Sequence, residues 1–216
     1  MAKHLKADAG LIFGFAIGGK FPKNPGEVLL GDVFRWFPKG TAIISVKVTG
    51  QNIIDTFEIG VAPLPAEAGG FPHISKSLSF DLDVTKPAMA GRVSNVKFNG
   101  APIDPKKTYT LAITQAMGKG KFGYHWFAGE RVVDEEYAVF ITDIVKEELK
   151  RGRDAAAGKE PVKVDVGRIN ILAGKETIEK AEREAEAAEA AKAKMKGPAG
   201  GAGVEDDALA VPSAAE

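Results

Sequence analysis

Every aromatic residue of this chain falls within residues 1–173. The stretch that follows, GKETIEKAEREAEAAEAAKAKMK (174–196), is almost entirely Ala, Glu, Lys and Arg. A packed core needs large apolar side chains, so it must be built before residue 174. The 216 residues suffice for one domain of about 150 residues with something appended. Alanine and long straight side chains favour a helix over 174–196. Its only larger apolar residues are Ile178 and Met195, so it has no wide apolar stripe to bury. Glu179–Arg183 and Glu182–Glu186 lie at i,i+4 spacing, the first favourable and the second not. Two readings stay open: a solvated helix, or a helix docked on a partner. Residues 197–216, GPAGGAGVEDDALAVPSAAE, hold Gly, Pro, Ala and acid, and disorder is expected there. The expected division is a globular domain over 1–173, a charged helical extension over 174–196 and a disordered tail over 197–216.

Charge and cysteine narrow the function classes. The formal net charge is 0, so no global field draws the chain to nucleic acid or to an anionic membrane. There is no cysteine, which removes disulfides, thiolate metal sites and a thiol nucleophile. The apolar run near the N-terminus is short and broken by glycines, so neither a signal-peptide core nor a membrane span is expected. The reading is a soluble cytoplasmic protein with no cofactor.

Within 1–173 helices and strands interleave without a strict βαβ rhythm, which predicts an α+β fold of mixed sheets layered with helices. AGLIF (9–13) reads as a buried strand. GEVLLGDVFRWF (26–37) reads as a helix with Asp32 as N-cap and Val33, Trp36 and Phe37 on one side. TAIISVKVTG (41–50) alternates through Ile44, Val46 and Val48, a half-buried strand. GQNIIDTFEIGV (50–61) carries Ile53, Ile54 and Phe57 at helical spacing, with Gly60 as its stop. PHISKSLSFDLDV (72–84) reads as one strand, and GRVSNVKFNGAPIDPKKTYTLAIT (91–114) as two strands joined through Asn99-Gly100 and Asp104-Pro105. EEYAVFITDIVKEELKRG (135–152) is an amphipathic helix with a glycine stop, and VKVDVGRINIL (162–172) a closing strand.

GFAIGGKF (14–21) nearly spells a phosphate-binding loop, with Gly14, Gly19 and Lys20 on the G-x-x-x-x-G-K-[ST] spacing. That loop needs a hydroxyl next and a helix that begins there, because the phosphate sits on the helix's free N–H groups. Here Phe21 takes the hydroxyl's place, and Pro22, Pro25 and Gly26 forbid the helix. The triphosphate reading fails on those two counts, and a strand-to-loop turn remains.

The order of the pieces carries more than any one of them. A strand ends in a Gly-Gly-cation loop; VTGQNIIDTFEIGV, GGFPHIS, GAPIDPKKTYTLAIT, a glycine-rich aromatic segment and a final VGRI follow. This succession resembles the C-terminal domain of the 5'-nucleotidase family over roughly residues 8–171. That domain is the substrate-recognition half of two-domain metallophosphoesterases. The family's hydrolysis belongs to an N-terminal domain with Asp-x-His and Gly-Asn-His-Asp/Glu motifs that hold two metals. None of His4, His73 and His125 sits in such a motif, so hydrolysis by this chain alone is not expected. The helix that usually leads into the domain's first strand is not expected either.

The resemblance also implies a nucleoside site. Family members hold the base between two aromatic rings and grip it with an Asn and an Arg from an N-x-G-G-x-R-like loop. In this sequence Phe15 stands at the Asn position and Lys20 at the Arg position, a point charge without the bidentate fork. Lys39 follows Pro38, where the first stacking aromatic would lie. Phe122 or Tyr124 falls where the second would lie, in MGKGKFGYHWF (117–127). Losing a stacking ring costs on the order of 1–3 kcal/mol, and losing the amide about as much again. The site thus reads as degenerate. The expected function is a non-catalytic structural or adaptor protein, a small subunit of a larger intracellular assembly such as a cytoskeletal or ciliary complex. Its partner proteins would be met by the 117–127 loop or by the C-terminal helix. The alternative is a nucleotide-binding module, either a sensor or the recognition half of a hydrolase completed by another chain. For the 117–127 loop two readings stand: aromatics tucked into the core, or an exposed aromatic and basic surface.

Overall fold

The computed structural model describes residues 1–18, 29–37, 40–66, 69–120, 123–133, 139–156 and 167–195. Among these, ten strands form two sheets and five α-helices pack around them. The first sheet runs β3 (Pro72–Ile74), β1 (Ala9–Phe13), β7 (Thr108–Thr114), β2 (Ala42–Thr49) and β8 (Arg131–Val133), with β9 (Val139–Phe140) also on β2. The second runs β10 (Ile169–Ala173), β4 (Leu78–Asp83), β5 (Val93–Phe98) and β6 (Ala101–Pro102). β1 lies parallel to β7 and β10 parallel to β4, while the remaining pairs are antiparallel. This is the α+β architecture of mixed sheets and helices that the interleaved pattern predicts.

β2 is buried on both faces rather than on one. Ile44, Val46 and Val48 meet α3 (Gly50–Val61) and the second sheet in the main core. Ile43, on the opposite face, packs with Ala112, Leu5 and the first turn of α4 (Ile141–Ala156), through Ile141 and Ile144. The alternation identifies the strand; that both its faces are covered depends on α4, far along the chain. A one-turn helix α1 (Ala2–Leu5) precedes β1, where the sequence reading expects none, and His4 Nε2 meets Glu147 Oε2 of α4 at 2.9 Å.

Local chemistry moves several boundaries. In α2 (Leu30–Trp36) Asp32 is not the N-cap: it lies one turn in and accepts the N–H of Leu29 at 2.9 Å. That acceptor still satisfies one orphan donor and favours the positive helix end. Thr49 caps α3, its hydroxyl accepting Asn52 N–H while Asn52 Oδ1 accepts Thr49 N–H in return. Gly60 does not stop α3, which runs to Val61, and α4 passes Gly152 to end at Ala156. PHISKSLSFDLDV is two strands in different sheets. Ser75 N–H donates to Gly10 O and Leu78 N–H to Ser75 O, so the chain turns between sheets at Ser75–Ser77. The 91–114 stretch gives three strands; Asn99 and Gly100, with φ of 49° and 81°, make the two-residue hairpin between β5 and β6.

α5 (Lys175–Met195) is the helix expected from its composition. Its first turns touch the domain, Ile178 packing against the main core, and the described residues from Glu182 to Lys192 are exposed. Residues 197–216 and the stretch 162–166 lie outside the described residues. No described helix is long and apolar enough to cross a membrane.

Candidate functional site

The loop that follows β1 is held by backbone, not by side chains. After Phe13 the chain turns through Gly14–Ala16 and crosses the Gly69-Gly70 segment. Gly14 N–H donates to Phe71 O at 3.1 Å and Phe15 N–H to Gly69 O at 2.6 Å. A methyl on Gly69 would lie 2.9 Å from the Phe15 Cβ, so the crossing needs glycine there. GGF in GGFPHIS thus serves a main-chain contact that fixes where Phe15 sits.

Phe13, fully buried, is the centre of the ring cluster and was not singled out from the sequence. The alternation of Leu11 and Phe13 in AGLIF is the signal that would have found it. The Phe15 ring lies parallel to Phe13 with centroids 5.6 Å apart, and Phe15 is 39% exposed. The Tyr124 ring meets Phe13 from elsewhere in the chain at 4.8 Å and is 2% exposed. Phe127, wholly buried, and Trp126 close around Tyr124 at 5.8 and 6.2 Å. Trp126 Nε1 donates to Thr56 Oγ1 at 3.0 Å, and that hydroxyl donates to Asn52 O, which ties the aromatic segment to α3. Of the 117–127 loop, the described aromatics therefore pack inward, while His125 and Lys119 are exposed. Of the sequence candidates, Phe15 and Tyr124 come together through Phe13. Lys20, Lys39 and Phe122 lie outside the described residues.

Burial pushes the Tyr124 phenol up from 10.0 to about 12. A raised acid pKa in the folded state means its stabilising effect is complete below pH 10 and is lost as pH rises from there towards 12. An alkaline titration followed by phenolate absorbance and by circular dichroism is expected to show Tyr124 ionising near that upper value. Tyr124→Phe should lessen the alkaline loss of stability. Ionisation of Tyr124 at the ordinary value in the folded protein would mean that its ring lines an open cleft. Desolvation also lowers the His73 imidazole from 6.5, where its ring stands edge-on to Phe71 at 6.1 Å. His4, His73 and His125 sit on separate elements. Among the described residues no three His, Cys, Asp or Glu side chains are grouped to hold a metal.

The profile described as 5'-nucleotidase, C-terminal domain, matches residues 1–129, more than half of the chain. The chain belongs to that family. Similar curated proteins include the silent protein UshA(0) of Salmonella typhimurium, 26% identical over 120 residues, covering 55% of this chain and 20% of that protein. Protein UshA of Escherichia coli is 27% identical over 99 residues, 46% of this chain and 16% of that protein. The trifunctional nucleotide phosphoesterase protein YfkN of Bacillus subtilis is 29% identical over 133 residues, 57% and 9% respectively. The chain thus spans a fifth or less of the length of these relatives. Among solved structures, the 5'-nucleotidase precursor of Thermus thermophilus superposes with a TM-score of 0.63 at 22% identity, covering 79% of this chain and 32% of that one. A putative 5'-nucleotidase of Staphylococcus aureus gives 0.61 at 16% identity, covering 79% and 34%. These likenesses establish the 5'-nucleotidase C-terminal fold, and with it the layering described above.

Proposed function

We propose that this chain is a non-catalytic member of the 5'-nucleotidase C-terminal domain family, used as a protein-binding scaffold, with its former nucleoside place filled by its own rings. One observation carries the reading. Tyr124, in the segment where the family's second stacking ring falls, is 2% exposed and lies against Phe13, which stacks on Phe15 at the family's Asn position. A base cannot stack on a ring whose faces are already covered, and an amide that would have oriented it is absent. The 216 residues also carry none of the metal-binding motifs of the hydrolytic domain. The exposed length of α5 beyond Ala181 is the arm offered to partner proteins in an intracellular assembly.

The second reading is a nucleotide-recognition domain working beside a hydrolytic one. The relatives favour it, YfkN of Bacillus subtilis being named a trifunctional nucleotide phosphoesterase. The two readings separate on Phe15→Asn combined with Lys39→Phe. Restoring an amide and a ring is expected to raise adenosine affinity at least tenfold over the unaltered chain, on the order of the combined loss of ring and amide. Unchanged or weaker binding in that variant would overturn the filled-site reading.

A further inference from the structure

α5 does more than extend from the domain: its first turns wall a pocket on the face of the second sheet. The helix starts close to the core because Gly174, at φ 83°, would put a Cβ only 2.9 Å from that of Val84. Val84 N–H donates to Ala173 O, and Ile178 N–H to Gly174 O, which sets the helix axis. Ile178 then packs on the main core. The positions three and four residues on, which share its face, would be apolar in a helix that seals a core. Here they are Ala181 and Glu182. A methyl and a carboxylate leave open a cavity of about 290 Å³ bounded also by Leu64, Phe71 and Leu82.

We propose that this pocket binds a small amphipathic amine, an aromatic or aliphatic body with one ammonium group. The walls supply apolar surface to the body. Among the described residues Glu182 is the one ionisable side chain in the lining, and it enters no ion pair with any of them. A cation at the mouth would meet its carboxylate without being buried, so neither charge is stripped of water. The proposal is independent of the filled nucleoside place, which is built from Phe13, Phe15 and Tyr124.

The test uses the full chain, isotope-labelled, titrated with 2-phenylethylamine and with 2-phenylethanol and followed by amide chemical shifts. The amine is expected to shift the Ala66, Phe71, Ile178 and Ala181 amides saturably. Glu182→Gln should weaken the amine about fivefold and leave the alcohol unchanged. Ala181→Leu, which fills the space, should abolish both while the other amides keep their positions. Glu182→Lys, at an exposed position that the fold does not need, should abolish the amine's advantage over the alcohol even if the filled variant proves unstable. Equal affinity for amine and alcohol, no saturable shift, or binding that survives Ala181→Leu would overturn the proposal. So would concentration-dependent shifts of the same amides without any ligand, which would assign the pocket to a second copy of the chain.

Discussion

Arg92→Met is expected to lower the free energy of unfolding by about 2–4 kcal/mol. Arg92 precedes β5 and is 7% exposed. One terminal guanidinium nitrogen donates to Val61 O, Ala62 O and Leu64 O at 3.0, 3.0 and 2.8 Å, and Nε donates to Lys86 O at 2.8 Å. The last carbonyls of a helix have no partner within it. α3 ends at Val61, and Arg92 satisfies the carbonyls that leave its C-terminus, where the helix dipole also favours a cation. Glu58 works in the opposite direction, from α3 to β5, accepting Val93 N–H at 2.8 Å. The two side chains bind the same ends of α3 and β5 to each other. Methionine keeps the stem's packing but takes the donor away from Ala62 O, Leu64 O and Lys86 O, while Val61 O keeps the Leu64 N–H at 3.2 Å. Arg92→Lys should recover less than half of the loss, because one ammonium cannot span both Lys86 and the helix end. Urea unfolding of the three proteins checks this. A loss below about 1 kcal/mol for Arg92→Met would show that water replaces the guanidinium at no cost.

The second large effect is expected at Gly50. Its N–H donates to Lys107 O at 2.9 Å, and Gln51 N–H donates to Pro105 O at 2.9 Å, so the start of α3 lies directly on the Asp104–Pro105 backbone. A methyl on Gly50 would fall on the Asp104 carbonyl, 2.9 Å from its carbon and closer to its oxygen. The obstruction is the Asp104–Pro105 main chain, which has no rotamer by which to move away. Gly50→Ala is therefore expected to cost about 3 kcal/mol or more, at the upper end of what overpacking causes. Gly31→Ala is the control: nothing lies within 4 Å of a methyl there, and it is in the helix α2. It should be neutral or slightly stabilising. Thermal unfolding of both variants reads the difference, and equal midpoints would mean that the β6–β7 loop yields freely.

Much of the fold was legible because the elements carry their own periodicity. β1, β2, α3 and α4 declare themselves by spacing alone, and α5 by composition. What was not legible depended on long-range contacts. The split of 72–84 into two strands hinges on Ser75 bonding to Gly10, a partner far back in the sequence. Gly60 and Gly152 read as stops, yet α3 runs one residue past Gly60 to the buried Val61, and α4 runs four residues past Gly152. Arg92 sits in an ordinary-looking AGRVS and gives no sign of the three carbonyls it holds. At the candidate site the family pattern puts Phe15 at the Asn position and Phe122 or Tyr124 at that of the second stacking ring. It did not identify Phe13 between Phe15 and Tyr124, because a ring on a buried strand is expected to be core and nothing more.

The central claim, that the chain's own rings fill the nucleoside place, is tested most directly by calorimetric titration of the purified chain with AMP, adenosine and UMP, with and without a divalent metal. The account predicts no heat of binding up to millimolar ligand for any of the three. A dissociation constant at or below tens of micromolar, about 6 kcal/mol or more of binding free energy, would contradict it. It would make this domain the recognition half of a nucleotide-processing system.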